Sequence, residues 1–294
     1  MIRPSPTAVP VTDRAPGRCH RGGVTEPGSG PPPGVLEAFG LVGAAERLPG
    51  GQGGTWRLGE VVLKPSPGQD FLRWVSDVLS RLDGRRDFRV SPPLRARDGS
   101  WSVAGWTAWR YRPGMHQPGR WLDIVRVADI FHKSIQQATR PAFLAGRTDR
   151  WAVADRLAWG ELPLPAAIGQ NSLIQETVAA QRAIPARSQL VHGDLAGNVL
   201  FHPELPPLVI DVSPCWRPAR FGTAVVVADA LVREGASDQL PESLGWDADD
   251  AQFLLRALLF RAIPDLLHQP HEEQGSITRR YQPAVELTLR IAAT

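Results

Sequence analysis

The spacing of hydrophobic residues changes along the chain. Between residues 55 and 111, apolar residues mostly form short runs or alternate with polar ones, which is typical of β-strands. One helical pattern, with Asp70 at its start and Leu82 at its end, interrupts this part. From Trp121 onwards, apolar residues recur at intervals of three and four, as in helices with one buried face. The sequence therefore predicts an α+β fold in which a small antiparallel sheet is followed by a mainly helical region.

The same patterns give expected limits for each element. Turn residues separate the apolar runs, and an acidic stretch starts the most regular helical stripe, which we expect to stop before Pro264. The predicted strands are residues 55–58, 60–64, 88–90, 94–96 and 101–111. The predicted helices are residues 35–40, 70–82, 121–135, 151–158, 172–184, 222–232, 251–263 and 282–291.

Composition sets residues 1–34 apart from the rest. They are rich in Pro, Gly, Ser and Arg and have almost no bulky apolar side chain, so burial cannot offset their ordering entropy. We expect a disordered tail, or alternatively a start that lies upstream of the true domain. Four arginines against Asp13 and Glu26 give this segment a surplus of two positive charges out of a net charge of +3. The remainder is close to neutral, which argues against binding to nucleic acid.

The bulk composition is that of an ordinary globular protein, with 43% hydrophobic and 21% charged residues. No apolar run approaches the ~20 residues that a membrane helix needs, so no membrane association is expected. The N-terminus lacks the apolar segment of a secretory signal. Cys19 and Cys215 are interpreted as free thiols in a reducing compartment. These features predict a cytoplasmic location and leave the oligomeric state open.

The polar residues that suggest chemistry lie at the ends of short apolar runs. His192 and Asp194 follow Leu190 and Val191, Asn198 precedes an apolar run, and Asp211 follows another. Because short strands joined by tight loops form hairpins, we expect these side chains to lie close together. Two carboxylates and an amide suit a hard cation with a general base beside it. By contrast, we interpret His132 as a structural hydrogen-bonding residue and Asp229 as a packing or loop-anchoring carboxylate.

A glycine cluster, residues 50–54, precedes the first two predicted strands. Glycine-rich turns allow backbone amides to approach phosphates closely. Lys64 ends the second of these strands, and the chain has only one other lysine, Lys133, so a need for a compact ammonium is indicated. A nicotinamide-dependent oxidoreductase is a poor alternative, because a dinucleotide loop requires a strand before the glycines and a helix after them.

These motifs together resemble the aminoglycoside phosphotransferase family, bacterial small-molecule kinases related to protein kinases, and look closest to an uncharacterised actinobacterial branch. The resemblance rests on His-Gly-Asp at 192–194, Asn198, Asp211 and the glycine cluster with Lys64. It implies a bilobal protein-kinase-like fold, with an N-lobe at 35–112 and a helical C-lobe at 113–294. It also implies ATP as nucleotide, Mg²⁺ as cofactor and the hydroxyl group of a small molecule as acceptor.

The resemblance also implies a role for each matching residue. Asp194 corresponds to the catalytic base, and Asn198 and Asp211 correspond to the metal ligands. The residues that correspond to the phosphate and adenine contacts are Gly51, Gly53, Gly54 and Lys64, then the backbone around Trp109 and Tyr111.

Two departures from the family pattern favour an alternative. First, Asn198 follows Asp194 by four residues rather than five. Second, the helix after Lys64 has no Glu to form an ion pair with that lysine, which leaves Asp70 or Asp77 as its acidic partner. The alternative is a pseudokinase, which would bind nucleotide without turnover. The acceptor and the choice between ATP and GTP stay open.

Overall fold

Five short strands form the antiparallel sheet that the strand patterns predicted. The computed structural model describes residues 30–48, 54–269 and 273–294; most of the predicted tail, and Gly51 and Gly53, lie outside these residues. The strands are β1 (Glu46–Arg47), β2 (Trp56–Leu58), β3 (Val61–Pro65), β5 (Pro93–Leu94) and β6 (Trp106–Arg110), and their order in the sheet is β1-β2-β3-β6-β5. β1 was not predicted from the sequence.

Alternation along the central strands gives the sheet two buried faces. Leu63 and Ala108 pack with Val35 of helix α1 (Pro33–Ala38) on one face. Val62 and Trp109 pack with the large core of the helical region on the other face. Successive side chains of a strand point to opposite faces, so one strand serves both clusters. Helix α1 begins at Pro33, inside the predicted tail, because proline is well suited to the first position of a helix.

Two expectations about the sheet were wrong. The segment around Phe88 does not join it: β4 (Arg89–Val90) pairs in parallel with β9 (Leu208–Val209), far along the chain. Residues 101–105 are not a strand, because Ala104 and Gly105 adopt positive φ angles of 48° and 80° and turn the chain back, so that Val103 bridges to Trp106. Helix α2 (Gln69–Ser80) lies between β3 and β4, as the helical spacing predicted.

The rest of the chain is mainly helical and encloses a second group of short strands. β7 (Gln189–His192) pairs with β10 (Pro214–Arg217), and β8 (Val199–Leu200) forms a hairpin with β9. Around them lie α3 (Trp121–Ser134), a 3-10 helix at Ala142–Gly146, α4 (Arg150–Ala158), α5 (Ala166–Gly169), α6 (Ser172–Ala179), α7 (Ala219–Arg233), α8 (Leu240–Ser243), α9 (Ala248–His268) and α10 (Gln274–Ala292).

Helix α9 is the centre of the helical region and packs against α4, α7 and α10. It begins at a capping box between Asp247 and Asp250, as the acidic start predicted. It does not stop before Pro264. A proline removes one backbone hydrogen bond, but buried apolar residues such as Ile263 and Leu266 lie on both sides of it and hold the helix in the core. Helix α10 starts at Gln274, earlier than the predicted residue 282. Helix α6 ends at Ala179, earlier than the predicted residue 184.

A helix that crosses a bilayer must be both long and apolar. Within residues 30–48, 54–269 and 273–294, none combines the length and the apolar character needed to span a membrane.

Candidate active site

The ring of His192 joins the two loops that carry the predicted acidic residues. The backbone amide of Asp194 donates to its Nδ1 at 3.1 Å, so Nε2 carries the hydrogen and donates to the carbonyl of Ile210 at 3.0 Å. The amide of Ile210 in turn donates to the carbonyl of Asn198 at 3.0 Å. Burial lowers the pKa of His192 below its ordinary value of 6.5, which keeps the ring neutral. Strand ends and hydrogen bonds therefore bring Asp194, Asn198 and Asp211 together, as predicted.

A second buried histidine supports the first. The backbone amide of His192 donates to Nε2 of His132 on α3 at 3.1 Å. Burial is the main cause that lowers the pKa of His132 from 6.5 to about 3. Its ring lies where helix α7 crosses β7: a Cβ added at Gly222 would lie 2.4 Å from its Cε1. The structural role predicted for His132 is confirmed.

The carboxylate of Asp194 is held from two sides. Nη2 of Arg261, on α9, lies 2.5 Å from its Oδ1, and the side-chain amide of Asn198 donates to its Oδ2 at 3.1 Å. The Asp194 side chain is still 44% exposed, so it can accept a further hydrogen bond from outside. Asn198 closes a tight turn in the shortened loop, because its backbone N–H donates to the carbonyl of Leu195 at 3.0 Å. Its side-chain nitrogen also donates to the backbone carbonyl of Asp194 at 2.6 Å.

Arg261 is anchored by the buried carboxylate that the sequence indicated as a loop anchor. Its Nε lies 3.0 Å from Asp229 Oδ1, and its Nη2 lies 2.6 Å from Asp229 Oδ2. Burial opposes the charge, but the attraction of Asp229 and Asp194 outweighs it and raises the pKa of Arg261 above its ordinary value. The guanidinium therefore stays charged and connects the core of α7 and α9 to the loop at Asp194.

Lys64 forms an ion pair with Asp211, 147 residues further along the chain. Its ammonium also lies 4.3 Å from the centre of the Trp109 ring, a cation–π contact. Asp211 adopts a left-handed backbone with φ of 50°, a conformation that Asp tolerates better than most residues. The structure thus brings the predicted phosphate lysine to one of the predicted metal ligands.

The other nucleotide contacts are resolved only in part. Gly54, at the end of the β1–β2 loop, lies against Pro65: an added Cβ would be 3.3 Å from that ring, next to Lys64. Strands flank Trp109 on both sides, and the amide of Tyr111 donates to the carbonyl of Glu60 at 2.8 Å. The Tyr111 amide is therefore already committed within the sheet, and the adenine contact stays a prediction.

Neither candidate for the helix acid reaches Lys64. Asp70 and Asp77 on α2 are exposed, and Asp70 lies 3.9 Å from Arg73 instead. Among the described residues, the carboxylate within ion-pair distance of Lys64 is that of Asp211. The departure seen in the sequence is therefore real, and Asp211 takes the place of a helix glutamate as the partner of Lys64.

The donor set at this site fits Mg²⁺. Magnesium is commonly bound by one or two carboxylates together with substrate phosphates and water, not by a full protein cage. The part of the chain that the structure describes holds no group of three His, Cys, Asp or Glu side chains arranged as a metal cage. Asp211 offers a carboxylate that is 47% exposed. The amide of Asn198 uses its nitrogen toward Asp194, which leaves its oxygen as a donor atom for a cation.

The contact of Arg261 with Asp194 and the cavity beside Asp194 were not predicted from the sequence. The cavity measures about 630 Å³ and is lined by residues of α4, β10 and α9 together with Asp194. The sequence does contain a signal for this contact. Arg261 lies within the apolar stripe of α9 and Asp229 lies within the apolar run of α7, and a buried charged residue needs a partner of opposite charge. Cys215, also at the cavity, is a free thiol as expected, whereas Cys19 lies outside the described residues.

Solved structures share this architecture over nearly the whole chain. An aminoglycoside phosphotransferase from Alicyclobacillus acidocaldarius is 14% identical and aligns with a TM-score of 0.57 over 91% of this chain and 96% of its own. A microcompartment-associated aminopropanol kinase is 16% identical, with a TM-score of 0.58 over 88% and 95%. An amicoumacin kinase, solved with AMP-PNP and Ca²⁺, is 13% identical, with a TM-score of 0.57 over 82% and 88%.

No protein-family model and no curated protein matches the sequence. At identities this low, the structural likeness defines the fold. The chain adopts the bilobal α+β fold of aminoglycoside phosphotransferases and related small-molecule kinases, which confirms the predicted fold class. The actinobacterial branch stays a prediction.

Proposed function

We propose that the protein is a kinase that transfers the γ-phosphate of ATP to a hydroxyl group of a small molecule and requires Mg²⁺. The observation that carries the proposal is the convergence of Lys64 from the sheet with Asp194 and Asp211 from the helical region. Proteins of the same fold are named as small-molecule kinases, and one of them was solved with AMP-PNP.

Lys64 and the loop that ends at Gly54 bind the phosphates of ATP. The ammonium is a compact charge at the end of β3 and lies over the Trp109 ring, 4.3 Å from its centre. Asp211 is the ion-pair partner of Lys64. On nucleotide binding, Lys64 exchanges this carboxylate for phosphate oxygens.

Asp211 and the side-chain oxygen of Asn198 would hold Mg²⁺. Bound there, the ion would neutralise charge on the phosphates as it develops during transfer. Asn198 keeps its nitrogen on Asp194, so the same side chain orients both the metal site and the base.

Asp194 orients the acceptor and takes its proton. The acceptor oxygen forms a bond to the γ-phosphorus, the bond from that phosphorus to the β,γ-bridging oxygen breaks, and ADP leaves with that oxygen. The hydroxyl proton passes to the Asp194 carboxylate. Arg261 and Asn198 hold this carboxylate in place, and its exposure leaves room for the hydroxyl. Catalysis then consists mainly of positioning and charge neutralisation.

The test combines nucleotide binding with turnover. Thermal unfolding with and without Mg²⁺ and AMP-PNP should show stabilisation by the pair, and ADP formation should depend on an alcohol from a small-molecule library. Asp194→Ala should abolish turnover but keep nucleotide binding, and Asp211→Ala should weaken both. Absence of binding by Mg²⁺ and nucleotide together would refute the proposal.

A nucleotide-binding module without turnover is the second candidate. The direct pairing of Lys64 with Asp211, in place of a helix glutamate, favours it. It predicts stabilisation by nucleotide, with no ADP formed from any acceptor. Turnover that disappears in Asp194→Ala would exclude it.

A further inference from the structure

The charged residues around the cavity beside Asp194 are arranged for an anion. Five arginines and three carboxylates line this volume of about 630 Å³. The number of charges matters less than their pairing, because an ion that already has a partner offers little to a ligand.

The carboxylates of the cavity are all engaged by arginines. Arg217, whose side chain is 10% exposed, binds Asp155 through Nη2 at 2.8 Å and forms a second ion pair with Glu161. Burial opposes its charge, but its bonds to Asp155 and Glu161 raise its pKa above the ordinary value. Asp194 is engaged by Arg261. An ammonium group that entered the cavity would have to displace an arginine to reach a carboxylate.

Two arginines of the cavity have no such partner. Among the described residues, no carboxylate lies within 4 Å of Arg140 or Arg156. Arg156 donates only to backbone carbonyls, at 3.3 Å to Ala152 and 3.1 Å to Arg147. Arg147 differs, because its Nε and Nη2 donate to the two carboxylate oxygens of Asp149 at 2.8 and 3.0 Å. Arg140 and Arg156 thus provide guanidinium groups that a ligand can bind.

We infer that the acceptor is a hydroxylated small molecule that also carries a carboxylate or phosphate group, which Arg140 and Arg156 bind while Asp194 receives the hydroxyl. This inference rests on the proposed function. A guanidinium group binds both kinds of anion through paired, charge-assisted hydrogen bonds. Trp151 and Phe260 give the same cavity an apolar wall, which strengthens such contacts by excluding water. The proteins of this fold that are named for aminoglycosides and aminopropanol have substrates with amino groups, so an anionic acceptor would distinguish this cavity from them.

Binding of matched ligands tests the inference without requiring turnover. We would titrate the full chain, with Mg²⁺ and AMP-PNP present, with gluconate against glucitol, glucose 6-phosphate against glucose, and glucosamine as the cationic member. The anionic member of at least one pair should bind about tenfold more tightly than its neutral counterpart. The two pairs separate a carboxylate ligand from a phosphate ligand.

Variants connect the preference to the two arginines. Arg140→Gln and Arg156→Gln should each remove most of the advantage of the anion and leave the affinity for glucitol or glucose unchanged. Arg290→Gln, at an exposed arginine on α10, is the matched control and should change nothing. Equal or tighter binding of the neutral or cationic members would overturn the inference, as would anion binding that is insensitive to both variants.

Turnover separates this inference from the proposed function. Anion binding that needs Arg140 and Arg156, with no phosphorylation of any ligand, would support the anion site and contradict the kinase. Phosphorylation of glucosamine or another amine alone would support the kinase and overturn the anion site.

Discussion

The guanidinium of Arg261 lies 2.5 Å from the carboxylate of Asp194, across 67 residues of sequence. The same group forms three hydrogen bonds to Asp229 within the core, so the packed helices α7 and α9 determine where the Asp194 carboxylate lies. In the proposed reaction Arg261 is therefore a positioning residue, which acts through Asp194. The side chain of Arg261 is only 5% exposed, so its bonds to Asp229 are shielded from water.

Loss of this contact should reduce kcat more than nucleotide affinity. Arg261→Lys keeps a charge near Asp229 but loses the fork geometry, and a carboxylate displaced by about 1 Å costs on the order of a hundredfold in rate. Steady-state kinetics should show kcat reduced by that order, with KM for ATP within about twofold of wild type. Arg280→Lys, at an exposed arginine of α10, is the control. Equal loss in both parameters would mean that Arg261 has only a structural role.

The chain contains a matched pair of lysines for testing the phosphate contact. Lys64→Met should weaken binding of Mg·AMP-PNP at least about tenfold, because the ammonium is the cation at the end of β3 that reaches the site. Lys133→Met, at the exposed lysine of α3, should have no effect. Fluorescence or calorimetric titration gives both affinities. Similar affinities for the two variants would contradict the role of Lys64.

Gly222 should tolerate no side chain. A Cβ there would lie 2.4 Å from His132 Cε1 and 2.7 Å from Val191 Cγ1, where α7 crosses β7. Overpacking of this kind costs about 1–3 kcal/mol, so Gly222→Ala should lower the free energy of unfolding by that amount in urea. Gly34→Ala, where nothing lies within 4 Å, is the control and should be neutral or slightly stabilising. Equal stability of the two variants would contradict the packing described at α7.

Acid should destabilise the protein through its two buried histidines. His132 has a pKa of about 3 in the folded chain and 6.5 as its ordinary value, so between these values the unfolded chain binds a proton that the folded chain does not. The free energy of unfolding should therefore fall as the pH falls from 6.5, with a slope of up to about 1.4 kcal/mol per pH unit for one histidine. Burial lowers the pKa of His192 too, which adds to the effect.

Urea unfolding at pH 7.5, 6.0 and 5.0 measures this slope. His132→Gln keeps an acceptor for the amide of His192 but does not titrate, so the variant should lose less stability than wild type between pH 6.0 and 5.0. A wild-type slope equal to that of the variant would show that folding does not lower the pKa of His132.

The sequence predicted the features that depend on local spacing. Periodicity and turn residues predicted the two hairpin strands on either side of Gly59, helices α2 and α3, and the capped start of α9. Strand ends predicted the grouping of Asp194, Asn198 and Asp211. Gly59 indeed adopts a positive φ of 58°, which few other residues would accept.

Features that depend on distant contacts were not predictable in this way. Contacts with segments far along the chain determine three such features. They are the parallel pairing of β4 with β9, the continuation of α9 past Pro264 and the bonds of Arg261 to Asp194 and Asp229. The pairing of Lys64 with Asp211 belongs to the same group, because the sequence showed only that a helix glutamate is missing.

The central claim is that Lys64 binds the phosphates of ATP, that Asp211 with Asn198 binds Mg²⁺, and that Asp194 acts as the base beside them. Calorimetric titration of AMP-PNP with Mg²⁺ and with EDTA tests it most directly, for wild type, Asp211→Asn and Asp194→Asn. We predict that Mg²⁺ tightens binding at least about tenfold in wild type and in Asp194→Asn, and that Asp211→Asn loses this gain. Nucleotide affinity that does not depend on Mg²⁺ in wild type, or no nucleotide binding at all, would contradict the account.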